Sequence, residues 1–279
     1  MKKNCLYLFA LFALFAGFAA AQTPVNVNRL DDLIVKSGMW KQIGQLEPMV
    51  QAGVDQAQVQ ANENKLKDIE LKALKKAIAT AYAPARMRAD ARNFLESELA
   101  EADQKQVLTW LDSDTGKKIN LLEEQSGEVT DRKKRDQESS AYAATLPKNR
   151  SDRIQRFMQV VRASEAMASL IINNNLAIAN GLAMTAPVQE LISLEALSKQ
   201  LESQRPQLIA SMDKRLLAEY AYIYRTVTDA EIDAYIAFAE TPSGRKYHAA
   251  FIAAIERAMT EASLVVGFEM GNIKKQKKA

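Results

Sequence analysis

One cysteine and one histidine are all that 279 residues contain of the side chains that most often bind metals and attack substrates. Cys5 lies ahead of an apolar run, so the rest of the chain has no thiol, and disulfide staples and thiol chemistry are excluded there. Zinc, haem and His-based nucleophilic sites need a histidine with specific partners, and His248 beside Tyr247 reads as a structural or exposed residue. Asp112-Ser113-Asp114-Thr115-Gly116 begins like a calcium loop but lacks the third ligand and the distal glutamate. Gly116-Lys117-Lys118 has neither the preceding glycine nor the strand of a phosphate loop. Carboxylates are plentiful, yet nothing singles out a pair for acid–base work. No metal or cofactor is expected, and no catalytic residue can be named: the chain does not read as an enzyme. Charge of one sign is also missing. Without Lys2 and Lys3, 35 basic residues face 34 acidic ones, which argues against a nucleic-acid binder. Ten glycines, seven prolines and no period-two alternation leave an all-α fold.

The N-terminus supplies the one long apolar run. Met1-Lys2-Lys3 is a positive lead, Leu6 to Phe18 is apolar, and Ala19-Ala20-Ala21 is a small-residue cleavage site. Residues 1–21 therefore read as a cleavable signal peptide, and the remainder as a periplasmic or secreted bacterial protein. Nothing later is long and apolar enough to span a membrane.

The most organised stretch is Tyr222 to Tyr247. Thr228-Asp229-Ala230-Glu231 has capping-box spacing, and its acidic residues suit the positive end of a helix dipole. Ile232, Tyr235, Ile236 and Ala239 then share a helical face. Thr241-Pro242 is an N-cap with proline at the first helical position, so a helix ends near Glu240 and another begins at Pro242. Gly244, Arg245 and Lys246 come next, in its first turn. An earlier stretch superposes on this one without a gap, 128 residues upstream. Gly116 falls on Gly244, Lys117 on Arg245, Trp110 on Phe238, Val107 on Tyr235, and Phe94 on Tyr222. Ala100 replaces the capping Thr228, so the first helix start is the weaker one. An internal duplication of roughly a hundred residues is the reading, well above a solenoid period.

This pattern of aromatic, Thr-x-x-Glu, Phe and Ser/Thr-Pro-x-Gly-Lys/Arg resembles a bacterial family of exported, all-helical domains of unknown function. The resemblance covers Tyr222 to Tyr247 fully and the first copy in its glycine, basic pair and apolar spacing. The family's opening has looser counterparts at Leu33-Ile34-Val35-Lys36-Ser37-Gly38 and Val160-Val161-Arg162-Ala163-Ser164. It implies an all-helical fold and carries no catalytic residues.

The expected plan is two tandem, duplicated helical bundles: a first copy over 22–127, a charged connector over 128–150, a second copy over 151–270, and a disordered basic tail over 271–279. Leu30, Leu33 and Ile34 form the face of a first helix stopped by Gly38. Met39 to Gln60 reads as a bent or interrupted helix, and Leu66, Ile69, Leu74, Ala77, Ile78 and Ala81 as an apolar stripe. Ile119, Leu121 and Leu122 close the first copy. The connector is either a recognition surface or a solvated helix. Ser151 is the candidate cap of the second copy, Asn173-Asn174-Asn175 interrupts its second helix, and Pro187 and Pro206 divide the next stretch. Phe251, Ile252, Ile255, Met259, Leu264 and Val265 finish its core. Tyr222 and Tyr235 read as core residues, with Tyr220 and Tyr224 on another face. Gly116 and Gly244 either pack their turns against the preceding helix or hold an anion with Lys117 and Arg245. Two functions remain: a non-catalytic adaptor binding another envelope protein, or a carrier or sensor of an apolar small molecule or lipid between helices.

Overall fold

The computed structural model describes residues 29–60, 67–127, 132–185 and 193–278, and about 90 % of these described residues are helical. The expected signal peptide over residues 1–21, Leu66 and Pro187 lie outside the described residues. Among the described residues there is no strand, and no helix is long and apolar enough to cross a membrane.

The first half contains α1 (Arg29–Lys36), α2 (Met39–Gln60), α3 (Asp68–Ala81), α4 (Pro84–Glu98), α5 (Glu101–Leu111) and α6 (Asp114–Gly127). After α7 (Arg132–Ala144) come α8 (Lys148–Val160), α9 (Ala163–Thr185), α10 (Leu194–Ile223), α11 (Asp229–Ala239) and α12 (Pro242–Lys278). Local chemistry sets many of these limits. Leu30, Leu33 and Ile34 are buried on α1, and Gly38, at φ 70°, turns the chain into α2. Pro84 opens α4 at a position where no N–H is needed. On α11, Thr228 Oγ1 accepts from Glu231 N while Glu231 Oε2 accepts from Thr228 N at 2.7 Å, a complete capping box. Ala100, 128 residues earlier, starts α5 with no side-chain cap.

Two apolar cores form, and neither belongs to one half of the sequence. The first gathers α1 to α5 together with Tyr247, Ala250, Ala254, Ala258, Met259, Ala262 and Val266 of α12. The second gathers Ile119 of α6 with α8, α10, α11 and the entry to α9. Each half thus gives its last helix to the other's core, so 22–127 and 151–270 are not self-contained packing units.

Helices α9 and α12 run side by side in the same direction, since Asn173 meets Glu256, Ile178 meets Gly267 and Thr185 meets Gly271. Their backbones nearly touch. A Cβ on Gly181 would sit 2.2 Å from the Leu264 carbonyl oxygen, and one on Gly267 would sit 2.2 Å from that of Ile178. Ala250, Ala254, Ala258 and Ala262, at four-residue spacing, lie on a different side of α12 and belong to the first core. α12 buries alanines where its large residues Phe251, Ile252, Ile255, Leu264 and Val265 were expected; those are half-buried, Phe251, Ile255 and Val265 packing against the first core, and Met259 alone of the expected set is buried. A short polar relay ties the pair to α3. The Tyr82 hydroxyl lies 2.8 Å from Ser263 Oγ, which donates to Asn174 Oδ1 at 3.2 Å.

Several local expectations change. α2 is continuous through Pro48, and α10 through Pro206. The three asparagines do not break α9, because each amide has a use: Asn173 donates to Glu256, Asn174 accepts from Ser263, and Asn175 donates back to Ile171 O. α8 begins at Lys148 with Pro147 as its uncapped start, so Ser151 lies inside the helix. α7 packs along α10 and buries Ser139, which gives the charged segment a fixed place in the fold. Ile69 and Leu121 are exposed, and α12 carries its helix through the basic tail to Lys278.

Because the α9–α12 approach leaves no room for a side chain, Gly267→Val should lower stability by roughly 1–3 kcal/mol or more through overpacking. Exposed Ile69→Ser should leave it within about 0.5 kcal/mol. Urea unfolding followed by circular dichroism distinguishes them, and equal small effects would contradict the close packing.

Candidate functional site

Several residues singled out in the sequence, Trp110, Glu231 and Phe238 among them, converge at the junction of the two halves. Trp110, near the end of α5, stacks on Phe238, its counterpart on α11, with ring centres 4.9 Å apart and planes 7° from parallel. Both rings pack against both cores. On either side of this stack an ion pair crosses between halves. Lys118 Nζ on α6 lies 2.8 Å from Glu231 Oε2 on α11, and Lys246 Nζ on α12 lies 2.8 Å from Asp103 Oδ2 on α5. Lys118 and Lys246, like Asp103 and Glu231, are 128 residues apart. The contact is therefore reciprocal, as in a symmetric dimer interface. Ser243 also donates to Asp103 at 2.6 Å.

These contacts show in the acidities. Hydrogen bonding from Lys118, then from the Thr228 backbone, holds Glu231 down at about 2. Lys246 and then Ser243 lower Asp103. Both carboxylates are acceptors used up by the fold.

The glycine turns are packing devices. Thr241 Oγ1 accepts from Gly244 N and donates to Phe238 O; Ser113 Oγ does the same between Gly116 N and Trp110 O. A Cβ on Gly244 would fall 2.0 Å from Phe238 O, and one on Gly116 2.1 Å from Trp110 O. The helix starts are thus closed by their caps and by the preceding backbone. Pro242 sits exposed at the first position of α12, Arg245 donates back to Glu240 O, and Lys117 points to solvent.

Beside the stack lies a group that the sequence reading missed. Glu123 of α6 sends its carboxyl inward, where Tyr224 donates to it at 2.5 Å and Tyr235 also hydrogen-bonds to it. Burial pushes its pKa up to about 7, the two phenols pulling it back only in part. Phe157, Tyr220 and Trp110 complete the aromatic wall: Phe157 and Tyr235 rings are 4.5 Å apart, Tyr220 and Tyr224 5.6 Å, and Trp110 and Tyr235 5.4 Å. His248 adjoins it, flanked by Tyr235, Phe238 and Tyr247. Its Nε2 is buried with no hydrogen-bond partner, and burial lowers its pKa to about 4. No motif marks Glu123, because its equivalent in the other half is Phe251.

The tyrosines exchange their expected places. Tyr224 is buried because it shares with Tyr220, four residues back, the face of α10 that meets the second core; the two rings stack, and Tyr224 N still donates to Tyr220 O at 2.9 Å. Tyr222 stays on the helix and faces out, away from the junction, with its hydroxyl donating to Glu138 and the guanidinium groups of Arg135 and Arg225 over its ring.

Among the described residues, no group of three or more His, Asp or Glu side chains is placed to hold a metal ion. Two surface clefts are open to ligands. One of about 580 Å³ between α7 and α10 is polar, lined by Asp136, Ser139, Ser211, Lys214 and Arg215 among others. The other, of about 450 Å³ between α9, α10 and α12, is lined by Leu176, Ala177, Leu194 and Leu264 together with Asn173, Asn180, Ser198, Thr260 and Glu261. The chain matches no family model, no curated protein and no solved structure.

Thr228→Ala should cost about 1 kcal/mol, the usual loss for a hydroxyl cap, and Ala100→Thr should cost nothing or stabilise. Gly244→Ala should cost roughly 1–3 kcal/mol while Arg245→Ala is nearly silent. Paired urea melts check both. A silent glycine change would overturn the packing account of the turn.

Proposed function

We propose that the chain is an exported, internally duplicated helical protein that acts as a non-catalytic docking module for another protein of the bacterial cell envelope. Export rests on the positive lead, apolar run and small-residue site of residues 1–21. Duplication is supported by helix limits that repeat at a constant distance: α5 and α11 each run 11 residues, 128 apart. It is supported again by the only positive backbone angles among the described residues, Gly38 and Arg162, which occupy the same turn before α2 and α9. The resemblance to exported helical domains rests on the same motif.

The cleft between α9, α10 and α12 carries the docking reading. Its lining of leucines mixed with amides, hydroxyls and Glu261 suits an amphipathic segment that offers both apolar and polar side chains. Acid–base chemistry needs perturbed titratable groups in a cleft, and Glu123 and His248 lie instead in the packed junction. A second reading uses the same cleft, since about 450 Å³ also suits a small apolar molecule.

The chain without residues 1–21 has no cysteine, so Ser198→Cys places one cross-linker at the cleft. We expect it to capture a single protein from envelope extract, and Leu176→Asp in the same background to abolish the capture without changing the helical circular dichroism signal. Co-purification of a lipid or small molecule that Leu176→Asp removes would favour the carrier. Capture indifferent to Leu176 would rule out the cleft.

A further inference from the structure

We propose that Glu123 and His248 form a compensating proton pair that holds the junction between the halves at constant strength through mildly acidic conditions. The geometry puts two buried titratable groups of opposite type against the same rings. Tyr235 donates to Glu123 and lies 5.8 Å, ring to ring, from His248; Tyr247 lies 5.1 Å from His248 and feels the charge of Glu123.

The charged groups around them are engaged elsewhere. Lys118 on α6 is bound to Glu231 on α11, and Lys41 on α2 to Glu124. Asp103 on α5 is held by Lys246, and Glu219 on α10 by Arg135 on α7. Arg150 on α8 is bound to Asp229 and to the Tyr224 and Val227 carbonyls. Tyr220, Tyr224, Tyr235 and Tyr247 are all raised by burial and stay protonated throughout the acidic range. Neither Glu123 nor His248 therefore has a counter-ion, and each resists becoming charged in the folded state.

The two resistances have opposite pH signs. Glu123 keeps its proton up to about 7 when folded, against an ordinary value of 4.5. Its contribution favours folding at low pH and is lost as pH rises from 4.5 to 7. His248 refuses a proton down to about 4 when folded, against an ordinary 6.5. Its contribution is complete above 6.5 and is lost as pH falls towards 4. Between 4.5 and 6.5 unfolding releases one proton at Glu123 and takes one up at His248, so these two groups leave the balance unchanged. Below 4.5 the compensation ends, and the paired carboxylates Glu231 and Asp103 lose their contributions as they protonate.

Urea unfolding of the full chain without residues 1–21, from pH 4 to 7, tests the pair. Glu123→Gln should leave His248 uncompensated, so its unfolding constant, relative to wild type, rises about tenfold per pH unit as pH falls from 6.5 to 4.5. His248→Gln should show the reverse slope, rising about tenfold per unit as pH climbs from 4.5 to 6.5. Parallel pH profiles for wild type and both variants would overturn the proposal. Should a variant fail to fold, the wild type still decides. The single histidine gives one C2-proton NMR resonance, expected to titrate near 4, and the Glu123 carboxyl carbon should titrate near 7. Midpoints near 6.5 and 4.5 would refute the pair.

Discussion

A carbonyl oxygen pressed against a glycine, once in each half, is the contact on which the architecture depends. Phe238 O against Gly244 and Trp110 O against Gly116 leave no space for a Cβ. They bring each last helix hard against the end of the helix before it, with only two residues between. That close turn directs α6 and α12 away from their own halves. The whole junction is a consequence of the exchange: the reciprocal ion pairs, the Trp110–Phe238 stack that belongs to both cores, and the burial of Ile119 and Tyr247 in opposite ones. The ion pairs are half-exposed and add little stability by themselves. Their value is in register, because a lysine on one half meets a carboxylate only when the helices have crossed.

The all-α class, the first helix with Leu30, Leu33 and Ile34, and the capping box were legible because each is a local rule written in adjacent residues. The glycine turn was legible too, as a cap hydroxyl followed three residues later by a glycine. The exchange of helices was not. An offset between two stretches says that they are alike and nothing about which partner each prefers. The signal was nonetheless present in the charges, for the reciprocal pairing of Lys118 with Glu231 and Lys246 with Asp103 keeps the same 128-residue spacing.

Tyr222 and Tyr224 were assigned without knowing which face of α10 meets the second core, and it is the face that carries Tyr220 and Tyr224. Phe251 and its neighbours were assigned to a core by size, whereas alanines fill the buried face of α12 and the larger side chains pack half-buried against the same core. Glu123 was invisible because a lone glutamate in a charged chain looks like every other surface glutamate. Only the rings that surround it, drawn from α5, α8, α10 and α11, make it different.

The place of α12 in the first core also bears on the order in which the chain can acquire structure. Tyr82 finds its hydroxyl partner Ser263 181 residues further on, and Tyr247 to Val266 supply one wall of the core that α1 to α5 begin. An emerging chain therefore cannot close its first core until nearly its last residue is made. Contacts of such long range are paid for in loop entropy before they return any energy, and they fold slowly.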